Sequence, residues 1–185
     1  MRRILVLLLS LALFGAVQAG TYGGPGNTAI STTKYGCNWS YAPITQWLVK
    51  TLRTYQIKTL ILPNKIKIVI PDAVLFQSNS TQMYARAKWP LQYLRYFIGN
   101  IAYSKIAIIG YMGDGYNPAM GKQAALHRAQ AVAAHLWENA IPDLTQVLGF
   151  SSRGEKDPIA SNQYVNGMAL NRRVEVIITV PTDNC

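Results

Sequence analysis

Two adjacent arginines, Arg172 and Arg173, stand at the mouth of an apolar run made of Val174, Val176, Ile177, Ile178 and Val180. A guanidinium is a planar fork of donors, and it grips a carboxylate or phosphate with two parallel hydrogen bonds. Placed beside a strand opening, Asn171, Arg172 and Arg173 form a candidate anion-binding block. The competing reading is a solvated strand start, with both arginines in water.

The neighbouring residues favour the binding reading. Gly149-Phe150, then Asp157-Pro158-Ile159-Ala160-Ser161-Asn162, then Gly167-Met168-Ala169-Leu170 lead into Asn171-Arg172-Arg173-Val174-Glu175. In that order the blocks resemble the C-terminal half of OmpA-like peptidoglycan-binding domains. Pro71-Asp72-Ala73-Val74-Leu75-Phe76 resembles the family's strand-to-loop opening motif. The resemblance covers about Lys65 to Val180. It implies a non-catalytic module that holds the stem peptide of peptidoglycan through Asp114, Arg128, Asn171, Arg172 and Arg173. Arg128-Ala129 matches the family's helix arginine and Gly110 its turn glycine. Departures are visible too. Tyr111 and Met112 stand for His and Thr, Gly113 occupies the ungapped acid position, and Asp114 follows one residue later. Gly121 replaces a helper Asn, and Met168 replaces an Arg. A narrower resemblance, over Leu62 to Phe76 and His135-Leu136-Trp137, is to the small OmpA-like component (IcmN or DotK) of type IVB Dot/Icm secretion machines. It implies outer-membrane or secretion-complex subunits as partners. The alternative function is then a structural subunit of a secretion core complex that has lost wall binding.

The elements that position these residues follow from periodicity. Ile44, Trp47, Leu48, Thr51, Leu52 and Tyr55 recur at helical spacing behind Pro43. That helix, Pro43 to Gln56, needs a surface to cover its apolar face, either the protein's own sheet or a partner subunit. A partner subunit is the favoured cover. Strands are expected at Ile57–Leu62 and Lys65–Ile70, joined by a turn at Pro63-Asn64. A helix is expected from Ala87 to Tyr103, a strand from Lys105 to Ile109, and a long helix from Ala119 to Asn139. Strands at Thr145–Phe150 and Arg172–Val180 complete the set. Strands alternating with helices predict an α/β (α+β) sandwich in the OmpA-like βαβαβ order: a mixed sheet with helices on one face, preceded by a helix and hairpin.

The first residues read as an address. Arg2 and Arg3 precede the apolar run Ile4 to Phe14, and Val17-Gln18-Ala19 offers small residues for cleavage after Ala19. An uncleaved anchor is the other reading, and there is no lipobox Cys behind the run. The expected organisation is a signal peptide over 1–19, a flexible Gly/Ser/Thr-rich arm over 20–42, a helix and strand over 43–64, and an OmpA-like domain over 65–181. Cleavage leaves no transmembrane span and lowers the formal charge from +10 to +8. Such a surplus attracts polyanions. In an exported chain that points to the periplasm, beside the outer membrane or wall of a Gram-negative bacterium, rather than to nucleic acid.

Export makes a disulfide permissible between Cys37 and Cys185; two free thiols, or pairing to another subunit, are the alternatives. Two cysteines and two scattered histidines give no metal site, and no cofactor is expected. The sequence lacks a nucleophile elbow or a catalytic carboxylate pair, so no enzymatic activity is expected.

Overall fold

The computed structural model describes residues 43–99, 105–113, 117–138 and 148–180. Ala19, Cys37, Asp114 and Cys185, and with them the expected signal peptide, arm and disulfide, lie outside the described residues.

Helix α1, Pro43–Arg53, places Ile44, Leu48 and Leu52 on one face, all buried. Proline at the first helical position costs no hydrogen bond, because that N–H has no partner within the helix. The helix ends in a Schellman arrangement. The Ile57 N–H donates to the Leu52 carbonyl at 3.2 Å and the Gln56 N–H to the Arg53 carbonyl at 3.0 Å. Gln56 sits at φ 61°, the left-handed position usually given to glycine. The favoured expectation, that a partner subunit covers this helix, is corrected. Its apolar face closes on the protein's own core, and Trp47 meets Tyr93 and Tyr96 edge-on, with ring centroids 5.9 and 5.4 Å apart.

Strands β1, Lys58–Leu62, and β2, Lys65–Pro71, form the expected antiparallel hairpin, with Leu62 opposite Lys65. A short helix α2, Asp72–Leu75, follows directly. After a loop closed by the Tyr84 N–H on the Leu75 carbonyl (2.8 Å) come a 3-10 turn, Ala85–Ala87, and helix α3, Lys88–Ile98. Helix α3 stops at Ile98 rather than at Tyr103. Strand β3 is Lys105–Tyr111, helix α4 Pro118–Glu138, strand β4 Leu148–Gly154, helix α5 Val165–Asn171 and strand β5 Arg173–Thr179.

The five strands form one mixed sheet in the order β1-β2-β5-β3-β4. Strand β5 runs antiparallel between β2 and β3, while β3 and β4 are parallel. A parallel pair needs a long crossover, and α4 supplies it. Ile66, Ile68 and Ile70 of β2, Ile106 and Ile108 of β3, and Val174, Val176 and Ile178 of β5 alternate onto the helix side, where all are buried. Leu91, Leu94 and Phe97 of α3, with Ala129, Val132 and Leu136 of α4, fill the facing layer. The α+β sandwich expected from the sequence is the architecture observed.

One close approach sets the position of α4. A Cβ at Gly110 would fall 1.9 Å from the Ala125 carbonyl oxygen, so β3 and α4 meet backbone to backbone there. Arg128, one turn further along α4, is thereby held at the end of the sheet. Among the described residues no helix is long and apolar enough to cross a membrane.

Candidate functional site

Where β2 passes into α2, Asp72 is turned toward α4. Its Oδ1 lies 3.2 Å from Arg128 Nε, and both side chains are largely buried. That oxygen accepts no aligned hydrogen bond, so the pair is held by charge rather than by directed bonding. Burial raises the Asp72 pKa above its ordinary value, and the positive charges of Arg128 and Arg172 oppose the rise.

The Arg128 fork is anchored by protein groups. Nε and Nη2 donate to the Ser80 carbonyl at 3.1 and 3.0 Å, and Nη1 points at Met112 Sδ. Its guanidinium carbon lies 5.8 Å from the centroid of the Phe76 ring. Arg172 approaches from the start of β5. Its backbone is fixed on both sides: its N–H donates to the Met168 carbonyl (3.1 Å) and its carbonyl accepts from the Asp72 N–H (3.0 Å). The Arg172 side chain is half-buried. Asp72, Phe76, Asn79, Tyr84, Arg128 and Arg172 border one open cavity of about 210 Å³. One carboxylate and two guanidinium groups therefore converge on a space large enough for a small charged group.

The rest of the sequence-derived block is placed elsewhere. Asn171 is corrected from ligand contact to internal clamp. Its Oδ1 accepts from the Ile159 and Ala160 N–H groups at 2.8 and 3.0 Å, and its Nδ2 donates to the Ala160 carbonyl and to Asn162. A buried amide so satisfied has no bonding capacity left for a ligand. Arg173 is corrected in the same way. Strand alternation sends it to the sheet face opposite the helices, where it is 2 % exposed. Nε bonds Glu175 Oε1 at 2.8 Å, Nη1 the Asn171 carbonyl at 3.2 Å and Nη2 the Asp157 carbonyl at 2.9 Å. Lys67 Nζ lies 2.9 Å from Glu175 Oε2 and completes the cluster. The Arg173 guanidinium covers the Tyr111 ring, and the Tyr111 pKa is pushed up to about 12 by burial and by Glu175.

Sequence reading named Arg128 and Arg172 but passed over Asp72 as part of a strand-opening motif. Asp72 and Ser80 are far from Arg128 in the chain, and only the fold brings them to it. The one sequence signal was an acid directly after the apolar alternation Ile66, Ile68, Ile70, at a strand end where side chains lie near a sheet edge. Among the described residues no group of three or more His, Cys, Asp or Glu side chains could hold a metal ion.

A five-stranded mixed sheet in this order, packed with helices, is the fold shared with OmpA-like domains. The cell-wall anchor of the T6SS from Pseudomonas aeruginosa superposes with TM-score 0.67 at 18 % identity, covering 75 % of this chain and 97 % of that one. The periplasmic domain of Helicobacter pylori MotB superposes with TM-score 0.58 at 20 % identity, over 69 % of this chain and 82 % of that one. The OmpA-like domain of FopA1 from Francisella tularensis gives 0.52 at 18 %, over 68 % and 80 %. No protein-family profile matches the chain. In sequence it is 32 % identical over 117 residues to YfiB of Escherichia coli (strain K12), spanning 60 % of this chain and 69 % of YfiB. The chain belongs to the same family as YfiB.

Proposed function

We propose that this chain is a non-catalytic envelope protein that binds the stem peptide of peptidoglycan in the cavity between Arg128 and Arg172. The observation that carries this reading is the convergence of Arg172, Arg128 and Asp72 on one cavity. The end of a wall peptide carries an amine and carboxylates. Arg172 offers its fork to a carboxylate, while Asp72 offers a counter-charge to an amine. The solved structures of similar fold include a cell-wall anchor and a periplasmic domain. They support placing the chain in the periplasm, at the wall or outer membrane, with wall peptide and envelope subunits as partners.

The test is co-sedimentation with purified sacculi at about 0.3 M salt, where non-specific attraction of a basic protein is screened. The wild-type protein is expected to sediment with the wall, and Arg172→Ala to remain in the supernatant. Equal sedimentation of both proteins overturns the site, and no sedimentation of either overturns the function.

A second reading has its own support. The Arg128 fork already serves Ser80, Met112 and Asp72. A cation so engaged suits a domain kept as a structural subunit of a secretion core complex, of the type IVB (Dot/Icm) kind, after loss of wall affinity. That reading expects co-purification with an envelope complex and no retention on sacculi. The T6SS anchor supports it to the extent that a secretion machine uses this fold.

A further inference from the structure

A second cavity, of about 270 Å³, opens on the other side of α2. Tyr55, Gln56, Ala73, Arg86, Trp89 and Pro90 border it. Ala73 borders both this cavity and the charged one, so the two are neighbours across a single residue. Their chemistry differs. The first is charged. The second is lined by two aromatic residues, Tyr55 and Trp89, together with Gln56 and Arg86. Trp89 is 44 % exposed on α3, with Lys88 Nζ 5.0 Å from its ring centroid. Arg86 is exposed, borders the cavity, and lies over the Tyr84 ring at 4.1 Å. Gln56, the exposed residue at the left-handed position that ends α1, also borders the cavity.

We propose that this second cavity is a saccharide subsite, which takes a sugar ring of the wall's glycan while the Arg128–Arg172 cavity takes the peptide. It thus rests on the wall-binding reading and extends it. A pyranose presents an apolar C–H face and a polar rim. Trp89 and Tyr55 match the face, and Gln56 and Arg86 match hydroxyl and acetamide oxygens at the rim. A proline-rich peptide would also fit an aromatic groove. The sugar is favoured because the groove adjoins a site for charged peptide ends, and one polymer carries sugar and peptide together.

The experiment is a nuclear magnetic resonance titration of the full chain with separate probes: an N-acetylglucosamine tetrasaccharide, a sugar-free stem peptide, and a decaproline peptide. The tetrasaccharide is expected to shift the Trp89 indole N–H saturably, with millimolar affinity typical of a single small subsite. Trp89→Ala is expected to abolish tetrasaccharide binding, and Arg86→Ala, an exposed change that leaves the fold intact, to weaken it severalfold. Arg172→Ala should leave tetrasaccharide binding unchanged and remove the response to the stem peptide. No saturable Trp89 shift with the tetrasaccharide overturns the subsite, as does a shift produced by decaproline instead. A tetrasaccharide response without a stem-peptide response overturns the peptide site alone and leaves the subsite standing.

Discussion

The Arg173 guanidinium carbon sits 3.7 Å above the centroid of the Tyr111 ring, on the sheet face that the helices do not cover. Tyr111 is the last residue of β3, directly opposite Arg173 in the ladder, and the stack gives its ring a place on that face. Tyr111 roofs a buried cation that is itself neutralised by Glu175. The consequence is structural, not ligand-binding. Arg173→Ala leaves Glu175 buried with Lys67 as its remaining cation, and is expected to cost roughly 3 kcal/mol. Urea denaturation measures this. Arg172→Ala, on the half-buried neighbour, should change stability by less than about 1 kcal/mol.

Asp72 gives a pH signature. Burial holds its pKa above the ordinary carboxylate value in the folded protein, against the pull of Arg128 and Arg172. A raised acid contributes stability that is complete below its unfolded pKa and is lost as pH rises through the folded pKa. The stability of wild type relative to Asp72→Asn should therefore fall as pH rises above about 4. Parallel denaturation series of the two proteins check it, and a pH-independent difference would contradict the raised value. By the same charge balance, protonated Asp72 leaves the two arginines less compensated. A purely anionic probe, such as an acetylated peptide, should bind more tightly at acid pH, and Asp72→Asn should lose that dependence.

Gln56 occupies a glycine position. At φ 61° its Cβ is strained, and Gln56→Gly removes the strain while adding freedom to the unfolded chain. The net expectation is stabilisation by about 0.5 kcal/mol, read as a higher urea midpoint with an unchanged slope. If Gln56 also serves the saccharide subsite, the same variant should bind the tetrasaccharide less well while folding better.

Gly110 tests the approach of β3 to α4. A methyl group there would meet the Ala125 carbonyl oxygen, a backbone atom that cannot rotate away. Gly110→Ala is expected to destabilise by about 3 kcal/mol, at the upper end of overpacking changes. Helix α4 would be displaced and Arg128 moved with it, so circular dichroism melting and sacculus retention should both suffer.

The residues explain what sequence reading reached and what it missed. Helices α1 and α3 carry apolar stripes, and β2 alternates lysine with isoleucine, so periodicity alone exposed them, whereas α4 was read from its Ala-rich composition and leaves Leu126 and Trp137 exposed. Helix α5 has no such stripe. Its buried residues are Gly167 and Asn171, while Val165 is 73 % exposed, so nothing in its pattern announces a helix. Strand β4 was expected at Thr145–Phe150, but it continues through the polar Ser151-Ser152-Arg153 to Gly154. An edge strand bonded only to β3 can hold its register through backbone bonds with polar side chains outward. The contrast between Arg172 and Arg173 was legible from alternation, whereas the pairing of Asp72 with Arg128 was not, because it exists only after α4 crosses over the sheet.

The position of β5 has a consequence for how the sheet is completed. Among the described residues, the strand latest in the sequence is the middle strand of the sheet, bonded to β2 on one side and β3 on the other. Without it, the hairpin β1–β2 and the pair β3–β4 have no shared backbone bonding, and the isoleucines of β2 and β3 lack their central neighbours. The two halves of the sheet are joined only through this segment, so the sheet is completed when β5 takes its place. The strand that joins the two halves also fixes Arg172, the residue directly before it, at the cavity.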